Sequence, residues 1–445
     1  MKLFNSMHQK IEVFQPLNEG HVSMYVCGPT VYNYPHIGNA RPIVVFDTLK
    51  RVFLALGYNV KMVSNYTDVD DKIIKVAKEC GVSEKEITDK FIQAYNEDRL
   101  RLNATLPDAA PRVTETMDAI IAFIEMLVEK GFAYVVDGDV YFRVTTIQNY
   151  GKLSNQQIED LVVGARIDEN SKKENPLDFT LWKKTEEGIK WNSPWSLGRP
   201  GWHTECVVMI NQEFDSDHQI DIHGGGMDLK FPHHENEIAQ SYAAYGTTIA
   251  NYWMHNGMVN IDGEKMSKSL GNVIWAKDMI EKIGGNTLRW LFLSAHYRSP
   301  LNMNEEAIET AKKELQKVMT PLKQAYVQFS FANKEIPSSY DEKLYQQFID
   351  AMEDDLNTPN AFVAVFDAVK RLNQALRVRE IDWDVVGSLV YTVEKMLDVL
   401  GIVYKRISLS VDDRMIYQNW KQAVKEKDFE IADKYRTTLI ERGIL

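Results

Sequence analysis

The chain has 445 residues, and 51 Lys and Arg stand against 63 Asp and Glu, for a formal net charge of −12. With 44% hydrophobic and 26% charged residues it has the balance of a soluble globular protein of about three domains; no apolar run reaches the ~18 residues of a membrane helix, and residues 1–10 lack the apolar core of a signal peptide. Three cysteines exclude a disulfide framework and point to a reducing cytoplasm, while the acidic balance argues against a general nucleic-acid coat.

The first third alternates strand and helix. Residues 21–26 predict a strand that ends at the turn residues Cys27-Gly28-Pro29. Residues 39–57 predict a helix whose buried stripe includes Val44, Phe46, Leu49 and Phe53. A strand at 60–63 follows, then a helix at 71–79 stopped by Gly81. The next helix opens with the capping box Ser83/Glu86 and runs to about Asn103. This order predicts a parallel sheet with crossover helices. Residues 107–200 read as an insertion. It holds a helix at 114–130, a hairpin at 134–144 turning at Asp137-Gly138, and a polar stretch at 157–175. The α/β pattern resumes at Gly201, and a short buried strand at 219–222 ends in Gly224-Gly225-Gly226. Helical periodicity at 305–329, 341–355, 361–378 and 384–400 predicts a helical bundle. Residues 406–445 are mildly basic against an acidic body.

Three groups of residues carry chemistry. Pro35-His36-Ile37-Gly38-Asn39 follows a strand and opens a helix, where free N–H groups and an imidazole suit phosphate. Lys265-Met266-Ser267-Lys268-Ser269 sits on a loop after Gly263 and suits a clamp on triphosphate. Cys27, Cys206, His233 and Glu237 form a reasonable zinc set, with His233 and Glu237 four apart on one helix face. Their dispersed spacing leaves the set open, and His234 competes with His233 for a place in it.

The pairing of the His-Ile-Gly and Lys-Met-Ser-Lys-Ser segments resembles the class I aminoacyl-tRNA synthetases. Longer segments resemble the cysteinyl-tRNA synthetase family over essentially the whole chain. They include Met24-Tyr25-Val26-Cys27-Gly28-Pro29, Asn65-Tyr66-Thr67-Asp68-Val69-Asp70, Gly201-Trp202-His203-Thr204-Glu205-Cys206 and Phe231-Pro232-His233-His234-Glu235-Asn236-Glu237. The resemblance implies an α/β fold: a Rossmann-like parallel-sheet catalytic domain with an insertion, an all-α bundle and a small C-terminal anticodon-binding module. It divides the chain into catalytic segments 1–114 and 201–255, a connective insertion 115–200, a connector 256–303, a bundle 304–402 and a C-terminal module 403–445. Family members usually continue by a short tail beyond the point matching Leu445, so anticodon affinity is the less secure expectation.

The implied function is activation of L-cysteine with ATP and Mg²⁺, then transfer to the 3′ end of tRNA(Cys). The family's zinc ligands match Cys27, Cys206, His233 and Glu237, and one Zn²⁺ with an open position would prefer a thiolate to the hydroxyl of serine. His36, Asn39, Lys265 and Lys268 are the expected ATP-binding residues, with Asn39 standing where the motif has a second His. Gly28, Thr67 and Trp202 are expected at the cysteine, and His203, His223 and His234 around the metal ligands. A cytoplasmic monomer with no membrane partner is expected. Two other readings share parts of the pattern. One is a ligase joining cysteine to glucosaminyl inositol; the other is a non-enzymatic, zinc-stabilised RNA-binding protein.

Overall fold

The computed structural model describes residues 1–156, 172–214, 217–266 and 271–445. A four-stranded parallel sheet has the spatial order Ala250–Asn256, Ile220–Gly226, His21–Val26, Asn59–Val63. The chain winds outward from the central pair in both directions, so the order reverses between His21–Val26 and Ile220–Gly226. Open α/β sheets bind ligands in the crevice at such a reversal, beyond the carboxyl ends of the strands. Ile220–Gly226 is buried along nearly its whole length, as a parallel strand covered on both faces must be.

The helix Ile37–Ala55 begins two residues before the expected Asn39, because His36 caps it. His36 Nδ1 accepts the Asn39 N–H (3.2 Å), and Asn39 Oδ1 accepts the His36 N–H (3.2 Å). The next helices are Asp71–Cys80, ended by Gly81 at φ 67°, and Glu84–Arg101, opened by the Ser83/Glu86 box. Two expectations need correction. The strand expected at 219–222 runs from Ile220 to Gly226 and takes in all three glycines, and a Cβ at Gly224 would lie 2.3 Å from the Phe46 ring. Gly224 lets the helix Ile37–Ala55, which carries Phe46, lie close against the sheet. The insertion helix starts at Met117 rather than Thr114, since Thr114 gives its N–H and hydroxyl to Asp68 (3.0 and 2.6 Å).

The hairpin Ala133–Val136/Asp139–Phe142 turns through Asp137 and Gly138, both at positive φ. It extends through Phe179–Lys184, Leu197–Pro200 and Trp191–Asn192 into a five-stranded antiparallel sheet. Of the polar stretch at 157–175, residues 157–171 lie outside the described residues.

Helices Glu305–Phe331, Glu342–Glu353, Thr358–Leu376 and Trp383–Leu400 form the bundle. Its apolar core is continuous with that of the helix Ile37–Ala55 and of Gly285–Leu293, so the bundle is welded to the sheet domain. Helices Val411–Glu426 and Phe429–Glu441 follow, with Tyr417 and Leu439 packed in one small cluster with Val327. Among the described residues no helix is long and apolar enough to cross a membrane.

A buried ion pair pins the weld. Arg289 reaches Asp47 on the helix Ile37–Ala55 and also donates to Leu102 O (3.1 Å) and Leu400 O (2.5 Å). Burial alone would raise the Asp47 carboxyl, but the Arg289 and Arg51 guanidiniums outweigh it and hold the carboxyl below its ordinary value. Its contribution to stability is therefore present above the ordinary carboxylate pKa and lost as pH falls through the lowered one. Arg289→Met removes the fully buried partner of Asp47 and leaves it Arg51 (2.8 Å) and Thr105 (2.8 Å), so the expected cost is about 2–3 kcal/mol. The check is the urea unfolding midpoint at neutral pH.

Candidate functional site

Cys27 continues the strand His21–Val26 past the carboxyl end of the sheet, with its N–H on Gly224 O (3.1 Å). Cys206 lies in the first turn of the helix Glu205–Glu213. His233 ends the irregular turn Lys230–His234, which runs straight into the helix Glu235–Tyr245 carrying Glu237. These elements bring four donors together. Cys27 Sγ stands 3.6 Å from Cys206 Sγ and 3.6 Å from Glu237 Oε1. Cys206 Sγ is 3.7 Å from His233 Nε2, which is 2.8 Å from Glu237 Oε1.

Donors held about 2.0–2.3 Å from a tetrahedral zinc ion stand roughly 3.3–3.8 Å from one another. Three of these four spacings have that value, and the fourth is a direct imidazole–carboxylate contact. Cys206, His233 and Glu237 are buried, and Cys27 opens to the cleft. Burial and the neighbouring Cys206 and Glu237 push the Cys27 thiol well above its ordinary value. The hydrogen bond from Cys27, with His233 beside it, holds Cys206 down to about 6. Burial alone would raise Glu237, but His223 and His233 hold its carboxyl well below the usual range. A divalent cation among these donors would balance both thiolates, so the residues fit a soft or borderline metal.

A second set shares two donors with the first: Cys27, His223, His234 and Glu237 also lie within 4.8 Å of one another. It offers one sulfur instead of two. Its imidazoles stand as orienting partners: His223 Nε2 is 2.6 Å from Glu237 Oε2, and His234 Nδ1 is 2.8 Å from His255 Nε2. His255 Nδ1 in turn meets Ser6 Oγ at 2.8 Å. His203 Nδ1 lies 3.1 Å from His233 Nδ1. Burial pushes His203 and His255 each down to about 3, so both are neutral near pH 7.

The expected cysteine-pocket residues fall in different places. Trp202 is 40% exposed and stacks on His233 with ring centroids 4.1 Å apart. Gly28 donates its N–H to Asn65 Oδ1 (2.8 Å), and a Cβ there would stand 1.6 Å from Asn65 O. Both line the cleft with Cys27. Thr67 does not: it is buried, and its hydroxyl donates to Glu205 Oε2 (2.9 Å). Burial pushes the Glu205 carboxyl well above its ordinary range.

The cleft holds roughly 410 Å³ and continues past His36, Gly38 and Asn39 to Met258 and Trp275. Backbone bonds fasten its two walls together. Ile37 N–H donates to Ile274 O (3.0 Å), and Ala276 N–H to Pro35 O (2.8 Å). A Cβ at Gly38 would come 3.0 Å from the His36 ring and 3.1 Å from the Met266 side chain, so the two motifs meet there. The Asn39 side-chain oxygen is used in the helix cap, which makes Asn39 an orienting partner of His36. The backbone of Lys265 belongs to the strand Glu264–Lys265; its side chain and all of Lys268 lie outside the described residues.

Sequence reasoning assigns no role to Asn65, Glu205, His255 or Asn256. Asn65 and Glu205 sit inside segments quoted above, and that adjacency is the available signal. His255 and Asn256 end a strand and carry no spacing cue.

Residues 13–313 match the family described as tRNA synthetases class I (C) catalytic domain, and residues 347–405 match the DALR domain. The DALR match thus falls largely inside the bundle rather than on the last helix pair. The chain is 46% identical to the cysteine–tRNA ligase of Halalkalibacterium halodurans, across 100% of this chain and 97% of that protein. It is 47% identical to the cysteine–tRNA ligase of Streptococcus thermophilus, with the same coverage. Among solved structures it is similar to Mycobacterium tuberculosis methionyl-tRNA synthetase in complex with methionyl-adenylate: TM-score 0.63, 15% identity, 85% of this chain and 89% of that one. A putative arginyl-tRNA synthetase from Campylobacter jejuni gives TM-score 0.61 at 17% identity, over 87% of this chain and 94% of that one. At such identities these two likenesses speak for the fold.

The contact between His223 and Glu237 can be tested directly. His223→Phe keeps a ring against Trp253, on which His223 stacks at 4.4 Å, and removes the hold on Glu237. It is expected to weaken Zn²⁺ affinity by about 10–100-fold, read by competition with a chromogenic chelator.

Proposed function

The chain belongs to the cysteine–tRNA ligases, a family of class I aminoacyl-tRNA synthetases, and from that premise we propose how its own residues carry the reaction. The enzyme joins L-cysteine to tRNA at the expense of ATP. In the first step the cysteine carboxylate attacks the α-phosphorus and pyrophosphate leaves. In the second a terminal ribose hydroxyl of tRNA attacks the adenylate and AMP leaves. No protein nucleophile is needed, because positioning and charge neutralisation suffice. The relatives that cover the whole chain bear the tRNA ligase name, and neither the glucosaminyl-inositol ligase nor the non-enzymatic reading draws support from them.

The observation that best supports the site assignment is a single cleft lined both by Cys27, the member of the four-donor cluster that opens to it, and by His36, Gly38 and Asn39. Cys27, Cys206, His233 and Glu237 would hold Zn²⁺, which when bound supplies a site that favours a thiolate over a hydroxyl. Trp202 and Gly28 bound the small space beside Cys27. His223 and His234, with His255 behind, keep the donors in place, and His203 does the same for His233. Thr67 acts from behind by holding Glu205, one residue before Cys206.

At the other end, His36 accepts the Asn39 N–H at Nδ1, so the neutral imidazole carries its proton on Nε2 as a donor for phosphoryl oxygen. The amino end of the helix Ile37–Ala55 adds its own attraction for phosphate. Lys265 and Lys268 neutralise the triphosphate together with Mg²⁺. We further infer a cytoplasmic monomer, the six-segment division given above, and an anticodon role for 403–445.

Zinc-replete enzyme is expected to exchange pyrophosphate into ATP with cysteine and to stay at background with serine; no cysteine-dependent exchange would refute the reading. Cys206→Ser should lower that exchange by at least about a hundredfold, since even outer partners of a metal site cost 10–100-fold. Lys268→Ala is expected to lower kcat by about 10²–10³ with little change in the KM for cysteine, measured in the same assay.

A further inference from the structure

The segment after the strand Asn59–Val63 is fastened by its backbone to the side of the site that carries Cys27. Thr67 N–H donates to Pro29 O (3.1 Å), and Val31 N–H donates to Thr67 O (3.1 Å). Two side chains of this segment, Asn65 and Thr67, are 1% and 2% exposed and stand behind the cleft wall rather than in it. Gly28 N–H, one residue past Cys27, donates to Asn65 Oδ1 (2.8 Å). A backbone N–H can only donate, so this bond fixes the amide and turns Nδ2 towards Thr67 Oγ1 (3.4 Å). The Thr67 hydroxyl passes its own hydrogen to Glu205 Oε2 (2.9 Å), one residue before Cys206. Asn65 Oδ1 also lies 3.9 Å from Cys206 Sγ.

A hydrogen-bonded chain of buried side chains thus runs from the neighbour of one cysteine to the neighbour of the other. The two cysteines come from unrelated elements, a strand end and the first turn of a helix, yet their sulfurs stand 3.6 Å apart. Two sulfurs at about 2.3 Å from a tetrahedral zinc ion stand about 3.8 Å from each other. The gap between the sulfurs is therefore close to what the metal needs, and the Asn65–Thr67–Glu205 chain spans it from behind. Partners that orient metal ligands in this way weigh heavily on metal affinity.

We propose that Asn65 is a positioning residue of the metal site: with Thr67 it sets the gap between the two cysteine sulfurs, and through that gap the hold on Zn²⁺ and the preference for a thiol substrate. The inference rests on the reading of the four-donor cluster as a metal site. Asn65 touches neither substrate in this account; it acts only through Cys27 and Cys206.

The test combines Zn²⁺ affinity by competition with a chromogenic chelator, the thiolate-to-metal absorption of Co²⁺-loaded protein, and cysteine-dependent pyrophosphate exchange at saturating Zn²⁺. Asn65→Ala is expected to weaken Zn²⁺ binding by about 10–100-fold, to alter the Co²⁺ bands, and to raise the KM for cysteine about tenfold with the KM for ATP unchanged. Thr67→Val, which keeps the shape and loses the hydroxyl, should do the same, and Thr67→Ser should restore the wild-type values. Because the two side chains act in series, the double variant should lose no more than the worse single one. If Asn65→Ala does not fold, Asn65→Leu, which fills the space without the amide, carries the same expectation. Wild-type affinity and Co²⁺ bands in Asn65→Ala overturn the proposal. So do losses that add in the double variant, and a lowered unfolding midpoint with the Co²⁺ bands unchanged. A wild type that binds no Zn²⁺ would strike the reading of the cluster as a metal site, and is thereby distinct.

Discussion

A carboxylate with no exposure to water organises the centre of this molecule. Glu237 offers one oxygen to His233 and Cys27 and the other to His223. Its partners come from three places: the end of one strand, the middle of the next strand, and the turn before its own helix. A charge buried so completely is tolerable only when its partners are held in place, because the desolvation cost is several kcal/mol per ion. The fold meets that condition by putting the cluster at the sheet's reversal point, where two strands and two helices converge. His234, His255 and Ser6 then form a buried hydrogen-bonded row behind it, reaching back to the N-terminal segment.

The helix Ile37–Ala55 links this centre to the rest of the chain. Its first turn carries His36, Gly38 and Asn39 into the cleft, and its middle carries Asp47 to Arg289. Asp355, just past the second bundle helix, ties three further pieces together. It accepts from Phe4 N–H (2.7 Å), the Tyr297 hydroxyl (2.8 Å) and Arg298 Nε (2.8 Å). The N-terminal strand, the segment after Gly285–Leu293 and the bundle thus share one buried acceptor.

Local signals in the sequence read well where local physics decides. The Ser83/Glu86 box, the Gly81 stop and the Asp137-Gly138 turn appear where their chemistry puts them. Gly224–Gly226 carry the strand past the run expected at 219–222, and at Gly224 a ring from another element, Phe46, leaves no room for a side chain. Thr114 misled because a distant carboxylate, Asp68, took the groups that would have capped a helix. The four-donor cluster was out of reach of spacing, since Cys27 and Cys206 lie 179 positions apart. Donor chemistry suggests the set, and whole-segment resemblance is what assigns its members.

The close approach at Gly28 sets a boundary for anyone wishing to reshape the cleft beside Cys27. A backbone carbonyl occupies the space where any side chain at position 28 would begin. Enlarging or reshaping the pocket from that side would mean moving the strand end that also carries Cys27. Trp202 is the opposite kind of wall: partly exposed and stacked on an imidazole. Room beside Cys27 is therefore adjustable on the tryptophan side, with the glycine side acting as a fixed template.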